Sequence, residues 1–167
     1  MRSLPSICGI ATAVIALFAT APTSAVAQEN TATLACQAVG WGNGPPEPVG
    51  DREGHGISVG EYSCRVDSGP MSGGVSTGTI IWEWDGTNAV LLSDSGVIRK
   101  PGSTLVYRGT EGKLALTMAD GKVTGATASL KGEQLLGTGS AASLAGKPYT
   151  ATSKSTGPSQ WTVEVKW

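Results

Sequence analysis

Leu114-Ala115-Leu116-Thr117-Met118-Ala119-Asp120-Gly121-Lys122-Val123-Thr124 is the stretch that decides the fold. Leu114, Leu116 and Met118 recur every second residue, the spacing that puts side chains on one face of a strand. Asp-Gly follows, a pair that tolerates the positive φ angles of a tight two-residue turn. A second extended run, Val123–Leu130, begins just beyond it. The stretch therefore predicts an antiparallel hairpin.

Working outward, the same grammar repeats. Tyr62, Cys64 and Val66 alternate with Glu61, Ser63, Arg65 and Asp67, and Ile80, Trp82 and Trp84 share a face within Val75–Asp85. Asp85-Gly86-Thr87-Asn88, Asp94-Ser95-Gly96, Pro101-Gly102 and Gly109–Gly112 read as turns separating Ala89–Ser93, Val97–Lys100, Thr104–Arg108 and Lys113–Met118. Gln134–Thr138, Tyr149–Ser153 and Trp161–Trp167 follow, the last alternating Trp161, Val163, Val165 and Trp167 against Thr162, Glu164 and Lys166. A helical turn fits only at Ser140–Leu144. Nine or ten short runs with turns between them predict an all-β sandwich or barrel. Glycines inside strand-like runs, at 78, 125, 137 and 139, mark bends or close backbone approach. Bends of that kind close a sheet, which favours a single antiparallel β-barrel of about eight strands.

The N-terminal third reads differently. Arg2 precedes an apolar run from Ile7 to Ala21, and Ala25-Val26-Ala27 has the small-x-small form of a signal-peptidase site. Residues 1–27 are thus expected to leave as a signal peptide, and a secreted or periplasmic location follows. The run is shorter than the roughly 20 residues of a membrane span, and nothing later is apolar enough, so no membrane span is expected in the mature chain. Cleavage removes Phe18, the only Phe, and leaves five Trp and three Tyr as the whole aromatic set. The full chain carries a net charge of −1, which offers no basic surface for nucleic acid. Residues 28–60, dense in Gly and Pro, are expected to be irregular, with the barrel spanning 61–167. Two cysteines remain in the mature chain, Cys36 and Cys64. In an oxidising compartment they predict a disulfide pinning the irregular segment to the first strand.

Several motifs fail on chemistry. Gly56-Ile57-Ser58-Val59-Gly60 matches the nucleophile elbow, but that motif needs a following helix and a downstream His. The only His is His55, upstream. Gly137-Thr138-Gly139-Ser140 echoes a dinucleotide loop, which a chain without βαβ units cannot use. One His and no Asp-rich calcium loop give no metal site and no cofactor.

The candidate chemistry is narrower. His55 is the one side chain whose unperturbed titration lies near neutrality. Glu83 or Glu61, if either faces inward, would be a desolvated carboxylate able to move a proton. Trp82 and Trp84 share one face, so either they line a cavity or they need covering from outside. One of Tyr107 and Arg108 should point inward, as should one of Glu61 and Tyr62. These residues form the expected site: Glu83, Glu61 and His55 as acid–base groups, Trp82, Trp84, Tyr62, Tyr107 and Arg108 as ligand contacts.

The run Gly137-Thr138-Gly139-Ser140 through Leu144-Ala145-Gly146, leading into Tyr149–Ser153, resembles the glycine-rich "G-T-G-x-F-x-G-x-x-G" segment of allene oxide cyclase-like and dirigent-like barrels. The Gly73-Gly74 turn before Val75 is similar too, and the likeness covers residues 60–167. Ala141 and Ala142 stand where that segment has an aromatic residue, and no catalytic residue of the family aligns here. The resemblance implies an eight-stranded barrel with an apolar cavity, often a homo-oligomer, that guides or isomerises reactive hydrophobic molecules without a cofactor. Three functions follow as expectations: an exported barrel binding a hydrophobic small molecule, a cofactor-free isomerase or cyclase on the same barrel, and an envelope interaction module without a pocket.

Overall fold

The computed structural model describes residues 30–40 and 44–167. The expected signal peptide, 1–27, lies outside the described residues, as does Trp41. Nine strands lie among the described residues: β1 (Thr31–Val39), β2 (Glu47–Pro48), β3 (His55–Val66), β4 (Val75–Asp85), β5 (Asn88–Lys100), β6 (Ser103–Ala119), β7 (Lys122–Gly137), β8 (Pro148–Gly157) and β9 (Gln160–Lys166). From β3 to β9 each strand pairs antiparallel with the next. β1 lies between β9 and β3 and closes the sheet. The result is an eight-stranded antiparallel barrel, with β2 a two-residue addition beside β3.

The deciding hairpin is β6–β7. Asp120 and Gly121 both adopt positive φ, 51° and 72°, the backbone of a type I′ turn whose twist matches the strands it joins. Around it the strands are longer and fewer than local composition predicts. Asp94-Ser95-Gly96 is not a turn but the middle of β5, and Gly109–Gly112 lies within β6. Val123–Leu130 and Gln134–Thr138 belong to one strand, β7, as far as Gly137. Register shifts in the β6–β7 ladder, between Val106 and Tyr107 and between Gly109 and Glu111, bend the long strands without ending them.

The expected irregular segment is also corrected. Residues 31–39 form the strand that closes the barrel, and Ala32, Leu34 and Cys36 are buried, with exposed Thr33 and half-buried Ala35 between them. Their small residues give a weak apolar signal, which the Gly- and Pro-rich sequence after Val39 obscures. His55 already begins β3, so the irregular part contracts to the connection between β1 and β3. The Cys36–Cys64 disulfide joins directly paired positions of two regular strands.

The barrel's two ends differ. The β4–β5, β6–β7 and β8–β9 hairpin tips and the β1–β3 connection share one end. At the other, the predicted helical turn appears as a 3₁₀ turn, Gly139–Leu144, which buries Ala141 and Leu144. The Ser140 hydroxyl donates to the Pro70 carbonyl at 2.7 Å, fastening this turn to the β3–β4 loop. Met71, Leu144, Val66, Leu105 and Ile98 pack there as a floor. No helix among the described residues is long and apolar enough to cross a membrane.

Candidate functional site

Strand register builds the interior. Tyr62 on β3 lies opposite Gly78, Gly78 opposite Gly96, Gly96 opposite Tyr107, and Tyr107 opposite Gln134. Two consecutive glycines separate two tyrosines, and each ring lies across the glycine beside it. A Cβ at either Gly78 or Gly96 would collide with the tyrosine hydroxyl. The vacant space lets the hydroxyls of Tyr62 and Tyr107 meet at 2.9 Å. One step nearer the mouth runs a second row, Asp94–Gly109–Gly132–Tyr149. Here Asp94 abuts Gly109 and the Tyr149 ring covers Gly132. Tyr107 and Tyr149 pack edge to face, with centroids 6.2 Å apart.

These rows carry a hydrogen-bond chain. Tyr62 donates to Asp94 Oδ1 at 2.8 Å, and the Tyr107 hydroxyl lies 2.8 Å from Ser76 Oγ. Asp94 is 6% exposed, and burial pushes its carboxyl up to about 6 despite the Tyr62 hydrogen bond. Burial likewise pushes the Tyr107 phenol up to about 12 and raises Tyr62 and Tyr149, so all three stay protonated donors near neutrality. Gln134 is 2% exposed, and its side-chain oxygen has no hydrogen-bond partner among the described residues.

The strands surround an interior cavity of about 440 Å³. Its floor includes Met71 and Leu144, and its upper wall includes Trp82, Trp84 and Trp161. Exposed Gly44, Ser159 and Gln160 stand at the rim, so the space opens at the hairpin-tip end. The Trp84 indole donates to Ser58 Oγ at 2.8 Å, which fixes the ring at the wall.

The expected site residues divide by face. Trp82, Trp84, Tyr62 and Tyr107 line the cavity together. Glu83 alternates with the two tryptophans and sits on the outer face, where it lies 2.9 Å from His55 Nε2. His55 is on that outer face as well, held between Glu83 and Asp51 and beside Arg52. Its imidazole is raised above the ordinary value, first by the Asp51 hydrogen bond and then by Glu83. The group clips the β1–β3 connection to the barrel wall and does not face the cavity. Glu61 is exposed at the mouth, next to Gly40, on the opposite face of β3 from Tyr62. Arg108 points outward and donates to Glu133 Oε1 from Nε at 2.6 Å. The inward acid is none of those expected. It is Asp94, joined by Gln134 and Tyr149.

Asp94 escapes a reading of the sequence because Asp-Ser-Gly composes like a turn. Only register shows that Gly96 serves the Tyr107 ring and Gly109 serves Asp94. The usable signal was the spacing of Gly96, Gly109 and Gly132 within otherwise extended runs. Comparison with family models, curated proteins and solved structures finds no match to this chain.

Proposed function

We propose that this chain is an exported small β-barrel that holds a small, largely apolar or aromatic molecule in its interior. The observation that carries the reading is the cavity itself. A space of about 440 Å³ within a strand-walled barrel, floored at one end and rimmed by exposed residues at the other, falls in the usual range for ligand sites. Its walls combine aliphatic and Trp surface with a few polar groups, the composition that buries a small molecule and fixes its orientation. The Cys36–Cys64 disulfide and the Ala25-Val26-Ala27 cleavage pattern support export. Native mass spectrometry of protein purified from its source tests the reading, together with calorimetric titration of aromatic and aliphatic probes. A bare mass and no probe binding below millimolar concentration would sink it, and would return attention to an interaction module acting through the outer face.

A second reading has its own observation. Asp94, desolvated and hydrogen-bonded to Tyr62, is a carboxylate poised to accept a proton near neutral pH. Tyr149, whose phenol stays protonated and lines the same cavity, can donate to an oxygen on which negative charge develops. A cofactor-free isomerase or cyclase acting on a hydrophobic molecule would use this set, in keeping with the resemblance to allene oxide cyclase-like and dirigent-like barrels. Loss of substrate conversion in Asp94→Asn, with substrate binding retained, supports this reading. Conversion that survives the substitution overturns it.

A further inference from the structure

The polar groups of the cavity are unbalanced in one direction. Its charged lining residues are Asp94, deep in the wall, and Glu61 at the mouth, and no Lys, Arg or His lines it among the described residues. A buried carboxylate is ordinarily paired with a cation or fully hydrogen-bonded. Asp94 has one donor, Tyr62, and no basic side chain from any strand packed around it. The groups facing it are the phenols of Tyr62, Tyr107 and Tyr149, all uncharged. Gln134 adds a second, independent vacancy of the same sign: a 2% exposed side chain in the cavity wall whose oxygen accepts nothing. Both groups ask for a donor, and one of them asks for positive charge. Trp82, Trp84 and Trp161 line the same cavity, and the face of an indole ring attracts an organic cation.

We propose that the occupant of the cavity is an organic cation, an apolar or aromatic molecule bearing a protonated nitrogen that the Asp94 carboxylate and the Gln134 side-chain oxygen receive. The inference rests on the cavity being a ligand site and names its substrate class. It also excludes a class, because an anionic head group such as a fatty-acid carboxylate would meet Asp94 with no cation to offset it. No covalent step is involved.

Three probes of matched shape separate charge from hydrophobicity: phenylbutylamine, phenylbutanol and phenylbutyrate, titrated calorimetrically into the full mature protein at pH 7.5. The amine should bind at least about 10-fold more tightly than the alcohol, as a charge-assisted hydrogen bond in a dry site provides. The butyrate should be the weakest of the three. Asp94→Asn should bring amine and alcohol within about threefold of each other, whereas Glu164→Gln, the same charge change on the outer face, should keep the preference. Gln134→Met should weaken the amine while leaving its preference over the butyrate. Lowering the pH to 5 should also narrow the amine's advantage. Equal binding of amine and alcohol, or a preference that survives Asp94→Asn, overturns the proposal while leaving the cavity a binding site. Failure of all three probes on folded protein, checked by near-ultraviolet circular dichroism, overturns the binding reading and the proposal with it.

Discussion

Replacing Asp94 by Asn should make this protein more stable, and by an amount that depends on pH. The folded barrel buries the carboxyl to 6% exposure and moves its pKa from the ordinary 3.8 up to about 6. A raised carboxyl pKa reverses the usual sign. The fold favours the protonated form, so below pH 3.8 the burial carries no ionisation cost. Between that value and about 6 the unfolded chain ionises first and stability falls, and above it the full cost applies. The size of the shift corresponds to about 3 kcal/mol. Asn keeps an acceptor for the Tyr62 hydroxyl and carries no charge, so Asp94→Asn should recover that amount at pH 7.5. In melting temperature this is roughly 10 °C for a domain of this size. The assay is urea denaturation of both proteins from pH 3.5 to 8, with the difference taken at each pH so that other carboxylates cancel. A gain below about 1 kcal/mol at pH 7.5 would refute the buried-charge argument. So would a gain that persists undiminished at pH 3.5.

Four further outcomes follow. Trp82→Ala should cost about 3–5 kcal/mol in chemical denaturation, because the ring is 7% exposed and leaves a large void; a loss under about 1 kcal/mol would place the ring at the surface. Gly96→Ala should destabilise by about 1–3 kcal/mol, since its methyl group would occupy the position of the Tyr107 hydroxyl, and Tyr107→Phe in the same background should relieve part of that loss. Removing the disulfide by Cys36→Ser with Cys64→Ser should cost about 3.6 kcal/mol by loop-closure entropy over the 29-residue loop, and a neutral result would mean the reduced chain is already held closed. Protease cleavage within residues 44–54 should accelerate as pH rises through the elevated pKa of His55, because the protonated imidazole donates to both Asp51 and Glu83 and loses one of those contacts on deprotonation; the effect should vanish in His55→Gln.

The sequence by itself was enough for the strand periodicity, the Asp120-Gly121 turn, the disulfide and the closed all-β architecture. Those features depend on residues close in the chain, or on the two cysteines that follow the N-terminal apolar run. It was also enough to place Ile80, Trp82 and Trp84 on one face, because alternation needs no tertiary information. Which face pointed inward did need it. Glu83, Glu61, His55 and Arg108 are chemically plausible acid–base or ligand groups, and only closure of the barrel put them on its outer side or at its mouth. Asp94 was hidden for the opposite reason. Its local composition signals a turn, while its true role follows from the partner strand, where Gly109 leaves room for a carboxylate. The tyrosine–glycine rows belong to register, a relation between strands set by packing across the whole barrel. A single sequence records the glycines but not what stands opposite them.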